Sequence, residues 1–460
     1  MLNIMFPFFT GVYVARVLLP VDIGEIAYAQ NIVQYFVILS FFGLPTYGLR
    51  EISKLRNNKV QLNKVFSELF VINFSSTLFF ILIYIGIIFT FKQFSDNIFV
   101  YLIVGGSIAL NFLNISWLYE GLEEFKFVTI RNFIFKLICF ILLLVFVRNQ
   151  DDYLIYAAIT VIGTAGNYFV NILFAPKYVS FTFEGLSLRR HLKSIMYLVA
   201  VNFAIEIYTL VDVTILGKFY EKTNVAFYSY GNRIFRILLT VVNSFTMVVV
   251  PRLALYYKEK KINEYNLLIS KTFRIIIILS LPMIIGLFFV VDDVVRMLYG
   301  TAYANSATVV KIQCFLLLVS PIGYLLGSRV MLITNQERKM FISVSIGAIV
   351  SLIGNFILIK QFAEYGAAIA LIISEIVIMI VYITFSHKYF KLIKVIPSIL
   401  KVFTASIGMI VLLYIESQLS LSIYIKLLIQ IISSAFVYFG ILLLVKENTV
   451  SEYAIKFIKK

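Results

Sequence analysis

The chain has 460 residues, 61% of them hydrophobic and 14% charged, with 40 Lys and Arg against 24 Asp and Glu for a net charge of +16. That composition excludes a soluble globular domain. Because the Lys and Arg collect in short loops between apolar blocks rather than on polar faces, it excludes a nucleic-acid binder as well.

In chain order, apolar blocks occupy residues 2–19, 29–49, 65–90, 98–118, 127–147, 154–175 and 195–216. They continue at 226–250, 273–291, 307–333, 341–359, 366–385, 396–415 and 424–445. Each is about the twenty residues a helix needs to cross roughly 30 Å of hydrocarbon. The expected fold is an all-α polytopic membrane protein of about fourteen helices. The first block lacks a basic lead and a small-residue cleavage pattern, so it is expected to stay as the first span rather than be removed as a signal peptide.

Positive charge sets the direction. With a cytoplasmic N-terminus, 24 Lys and Arg fall in inward segments, from Arg50, Lys54 and Arg56 to Lys394, Lys456, Lys459 and Lys460, and only 7 fall outward. Both termini are therefore expected in the cytoplasm. No loop is long enough for a separate soluble domain.

The stretch GEIAYAQNIVQYF at 24–36 has a counterpart in NVAFYSYGNRIF at 224–235, each opening a helix after an outward turn and leading to a basic inner end, at Arg50 and Arg252. This predicts two pseudo-symmetric six-helix lobes, a parallel repeat with the substrate path between them. The lobes are placed at residues 1–175 and 195–385, joined by a cytoplasmic loop at 176–194, with two further helices and a basic tail at 386–460.

Ionisable residues inside a membrane mark function by default. A charged Arg16 within an apolar run costs between about 2.5 and more than 10 kcal/mol, depending on how far it reaches toward water. Arg131, Lys136, Arg233 and Arg236 are further deep bases, while the deep acids are Glu206, Asp212 and Glu375. Bases outnumber acids, and the surplus points to an anionic ligand, since guanidinium forks match phosphate oxygens and keep their charge when desolvated. An ion pair between Glu206 and Arg236 is the structural alternative. Arg274, Lys311, Arg329 and Lys401 lie near helix ends and are expected to snorkel.

Catalysis finds little support. His191 and His387 both fall in basic loops and are expected to be solvated, Cys139 and Cys314 are expected to be small buried side chains, and no metal or cofactor motif occurs.

Y-x-A-R-x-L at 13–18, Pro20, Gly24, Y-A-Q-N at 28–31, Tyr35-Phe36 and GLPTYGLREI at 43–52 together resemble the opening of the bacterial polysaccharide repeat-unit flippases, the Wzx-like branch of the multidrug/oligosaccharidyl-lipid/polysaccharide exporter superfamily. W-L-Y-E-G-L-E at 117–123 is similar to that family's fourth-helix exit, with Glu120 where the family usually has Gln. Members usually carry a short polar lead before the first helix, whereas this chain opens in an apolar run. The resemblance implies an alternating-access transporter, not an enzyme. Its substrate would be an undecaprenyl-pyrophosphate-linked oligosaccharide, moved from the inner to the outer leaflet for O-antigen, capsule or exopolysaccharide synthesis. It also implies a cationic lumen that carries by position to Arg16 and Arg50. Lys136, Arg233, Arg236 and Arg131 are the further candidates for that lumen, and Glu206, Asp212 and Glu375 for ion coupling. The implied partners are the lipid-linked oligosaccharide, the bilayer and the polysaccharide polymerase with its chain-length machinery, with no nucleic acid and no cofactor. A cation-coupled multidrug exporter of the same superfamily is the alternative; it should line its lobes with carboxylates.

Overall fold

The computed structural model describes residues 2–41, 43–392 and 395–452, and among these the regular structure is helical with no strand. Lys394, Lys456, Lys459 and Lys460 of the expected inward charge lie outside the described residues. The chain forms two compact units, Met1–Ala226 and Phe227–Lys460.

The first unit contains α1 (Leu2–Val17), α2 (Pro20–Phe41), α3 (Leu44–Leu55), α4 (Lys59–Thr90), α5 (Ile98–Ala109), α6 (Ser116–Gly121), α7 (Phe125–Phe146), α8 (Tyr153–Val161), α9 (Tyr168–Phe174) and α10 (Arg189–Phe219). Local chemistry sets the boundaries. Pro20 opens α2, where a missing N–H costs nothing. Gly43 separates α2 from α3 at φ 67°, a left-handed angle that favours glycine. Asn58 caps α4, its Oδ1 accepting from the Gln61 amide at 3.1 Å. The central helix is α2, which packs against α4, α5 and α10.

The family-like stretches at 43–52 and 117–123 meet in space. α3 packs on α6, and a Cβ added at Gly48 would lie 2.8 Å from the Trp117 ring. Trp117 is 1% exposed and joins Phe66, Leu69 and Tyr119 in one apolar cluster. Gly48→Ala is expected to overpack this contact by about 1–3 kcal/mol. The measurement is a lower unfolding temperature in detergent with a shifted emission from Trp117, the only tryptophan in the chain; an unchanged temperature would show that α3 and α6 can separate without cost.

The chain enters the second unit within α11 (Lys222–Val248), followed by α12 (Val250–Lys258), α13 (Ile262–Tyr299), α14 (Ala304–Gln313), α15 (Leu316–Tyr324), α16 (Glu337–Ser386), α17 (Ile396–Ser417) and α18 (Ile423–Leu444). α17 and α18 form a hairpin that packs on α13, with Tyr438 donating to the Ile278 carbonyl at 2.9 Å and Val402, Met409 and Leu442 filling the contact. Lys311 on α14 pairs with Asp292 at 2.5 Å and Lys426 on α18 with Asp293 at 3.3 Å, so two neighbouring carboxylates of α13 tie it to both helices.

Helix covers every apolar block named from the sequence, but the count of spans differs from fourteen. Ten described helices are long and apolar enough to cross a membrane, eleven with the bent pair Thr301–Gln313 and Leu316–Met331. The difference has identifiable causes. α16 runs for 50 residues but turns at Ala363 (φ 48°, ψ −127°), so that it holds the blocks at 341–359 and 366–385 as two helices. α1 has only 16 residues, and α10 is not among the spans. By contact the chain divides between Ala226 and Phe227. α10, placed by sequence at the head of the second lobe, packs against α2 inside the first unit.

Candidate functional site

In the first unit, Arg16 lies in the last turn of α1 and is exposed. Arg50 on α3 is also exposed; its Nε is 3.3 Å from Glu51 Oε1 and its guanidinium stands 5.3 Å from the centre of the Tyr47 ring. Beside it opens a cavity of about 450 Å³ lined by Tyr47, Glu51, Gln61, Lys64, Arg190 and His191. Lys136, half-buried, and Arg131, 5% exposed, follow one another on α7.

Arg131 is the most deeply held of the predicted bases. Its Nη2 donates to Asn132 Oδ1 at 3.0 Å and to Ser116 Oγ at 3.4 Å, and Asn167 Nδ2 shares the Asn132 oxygen at 2.8 Å. Among the described residues, Arg131 Nε and Nη1 and both polar atoms of the Asn171 side chain have no hydrogen-bond partner. A desolvated guanidinium with donors to spare attracts an anion more strongly than a solvated one does.

In the second unit, Arg233 and Arg236 lie three residues apart on α11, one turn of helix. Arg233 sits 4.7 Å from the Tyr230 ring centre, a cation–π contact, while the exposed Arg236 donates from Nε to Asn232 Oδ1 at 3.2 Å. The acids are separate from one another. Glu206, half-buried on α10, accepts from Thr209 Oγ1 at 3.0 Å. Asp212, buried on the same helix, accepts from the Val213 amide at 2.7 Å, and Glu375 on α16 accepts from Ser320 Oγ at 3.2 Å.

Sequence reasoning missed two clusters and misjudged one histidine. His191 is not solvated: it is 3% exposed, with Nδ1 2.7 Å from Tyr47 Oη and Nε2 2.8 Å from Glu68 Oε2. Glu68 is fully buried, also accepts from Arg190 and accepts from the Ser187 amide at 2.7 Å. A Glu set four residues into an apolar block was the available signal. His387 is exposed as expected, and Cys139 and Cys314 are buried and free. The second cluster joins Glu25, Tyr101, Tyr28 and Lys222. Tyr101 donates to the buried Glu25, and the Lys222 ammonium lies 3.6 Å from the Tyr28 ring centre and donates to the Gly217 carbonyl at 2.6 Å. Glu25 sits inside the stretch GEIAYAQN, which carries both the repeat and part of the family resemblance without pointing to Glu25 itself.

The family described as polysaccharide biosynthesis protein matches residues 1–257, more than half the chain. The chain belongs to that family. The family described as lipid II flippase MurJ matches residues 130–443, so both families cover residues 130–257. A relative from Escherichia coli (strain K12), named "Putative O-antigen transporter", is 25% identical over 392 residues, 81% of this chain and 90% of its own length. A solved structure of lipid II flippase MurJ in an inward closed conformation superposes with a TM-score of 0.75 at 18% identity, covering 95% of each chain. An inward-facing multidrug resistance MATE family transporter of the MOP superfamily gives a TM-score of 0.63 at 12% identity over 84% of this chain and 93% of its own. These two likenesses extend the expected superfamily fold over nearly the whole polysaccharide biosynthesis protein.

Proposed function

We propose that the chain is a flippase that carries an undecaprenyl-pyrophosphate-linked oligosaccharide from the inner to the outer leaflet of the bacterial cytoplasmic membrane by alternating access. The reading places both termini in the cytoplasm. It serves assembly of O-antigen, capsule or exopolysaccharide, with the polymerase and its chain-length machinery as protein partners. The observation that carries it is membership of the polysaccharide biosynthesis family in a chain whose helices carry the basic side chains Arg16, Arg50, Arg131, Lys136, Arg233 and Arg236.

Electrostatics favour the direction. A diphosphate diester of about two negative charges moving outward across an inside-negative potential gains roughly 2.3 kcal/mol per charge per 100 mV. Desolvation opposes the crossing, and guanidinium forks replace the headgroup's water while the polyprenyl tail stays in lipid. A cation-coupled drug exporter shares the fold but would need acids where this chain has bases.

Expression in cells lacking their own repeat-unit flippase tests the reading. Surface polymer is expected to return as the lipid-linked intermediate of the inner leaflet declines. Correct insertion without either change, across strains with different repeat units, would overturn it. Glu206, Asp212 and Glu375 are the candidates for ion coupling, and unaltered recovery with all three neutralised would remove them from that role.

A further inference from the structure

Helices do not break at membrane depth without cause, because a backbone group denied its intrahelical partner finds no water in hydrocarbon; irregular backbone there is confined to protein interiors and polar cavities. Two walls of one cavity in the first unit break together. α5 ends at Ala109 and the chain turns through a 3₁₀ segment at Asn111–Leu113, while α8 runs into a π-helical turn at Ile162–Gly166. Single π turns inside α-helices recur at functional sites.

Between these breaks and α2 lies a cavity of about 250 Å³. Its polar lining is Gln30, Gln34, Ser107, Asn111, Thr160 and Thr164; the rest is valine, Ala165 and the Tyr168 ring. Gln30 Nε2 donates to Thr160 Oγ1 at 3.0 Å, and Asn111, 1% exposed, is fixed by donating to Ser40 Oγ at 2.8 Å. The π turn sets Thr164 one helical step beyond Thr160, its hydroxyl donating to the Thr160 carbonyl at 2.9 Å.

Among the described residues, the lining holds no Asp, Glu, Lys, Arg or His. An ion would go uncompensated there, whereas amides and hydroxyls both donate and accept, as ring hydroxyls do. The valines and the Tyr168 ring offer apolar surface to ring C–H groups. The volume falls below the roughly 300–1,000 Å³ of drug-sized pockets, which suits a single ring rather than a chain. We propose that this cavity is a neutral-sugar subsite that receives one uncharged polyhydroxylated ring. The inference rests on the flippase reading where that ring belongs to the lipid-linked oligosaccharide; a free monosaccharide is the other source of the same chemistry.

The test uses the full chain, purified in detergent. Binding is measured for three probes: undecaprenyl pyrophosphate bearing the repeat unit that restores surface polymer, undecaprenyl pyrophosphate without sugar, and the free monosaccharides of that unit. The wild type is expected to prefer the sugar-bearing lipid by about tenfold or more, and Thr160→Val with Thr164→Val to lose about tenfold of that preference, the effect of two hydrogen bonds, while binding the bare lipid unchanged. Should the double variant lose both lipids, Ser107→Ala on the α5 wall carries the same comparison. A preference kept in all variants overturns the subsite while leaving the flippase reading standing. A wild type that binds neither lipid overturns both. Competition by a free sugar in the wild type alone supports the subsite and identifies the second source.

Discussion

Replacing Arg16 and Arg50 together by Gln is expected to abolish recovery of surface polymer and leave lipid-linked oligosaccharide accumulating in the inner leaflet, at normal membrane levels of the protein. Two charge-assisted contacts to a diphosphate contribute about 1.5–3 kcal/mol each, so their loss lowers affinity by about 10² to 10⁴. The structure makes this a test of function rather than of folding. Both side chains are exposed, and the Arg50 contact to Glu51 is a solvated pair between neighbouring residues, of the kind worth less than about 1 kcal/mol. Lys at either position keeps the charge but loses the planar fork, and partial activity is the expected result. Full activity in the double Gln variant, with the protein present, would remove both residues from the headgroup site.

The helices were legible from the sequence because the bilayer imposes one pattern, long apolar blocks closed by polar turns, and helix lies over every such block from residue 2 to residue 445. Where the reading missed, it missed for want of tertiary information. The membership of α10 depends on its contact with α2, through bonds such as Asn31 Nδ2 to the Leu210 carbonyl at 3.1 Å and Thr214 Oγ1 to Asn31 Oδ1 at 2.7 Å. The same holds for the sites. Arg131 stood out because a charge in an apolar block is visible at once, but Asn167, which shares the Asn132 oxygen with it, lies 35 residues further along the chain from Asn132. His191 misled for the opposite reason: its sequence neighbours are basic and polar, while its contacts in space are Tyr47 and Glu68, more than a hundred residues away.

Glu68→Ala should be among the most damaging single changes in the first unit. One face of α4 holds the chain segment before α10 by three side chains in a row: Asn63 Oδ1 accepts from the Ser180 amide at 3.0 Å, Ser67 Oγ from the Thr182 amide at 2.8 Å, and Glu68 Oε1 from the Ser187 amide at 2.7 Å. The other Glu68 oxygen takes Arg190 and His191. Removing the carboxylate leaves a backbone amide, an imidazole and a guanidinium without their acceptor in a buried place. Truncating one partner of such a pair costs about 3–5 kcal/mol, and the lower end applies because Arg190 is 48% exposed and its share is screened by solvent. A lower unfolding temperature is expected, together with faster tryptic cleavage after Arg189 and Arg190, since the start of α10 loses its anchor. Glu68→Gln, which keeps an acceptor for the Ser187 amide but no charge, should fall between the wild type and Ala. Ala at Asn63 or Ser67 removes one hydrogen bond and should cost only about 1 kcal/mol. If Glu68→Ala matched those two in both temperature and cleavage, the carboxylate would count as one acceptor among three, and the packing of α10 on α2 would hold the segment in place.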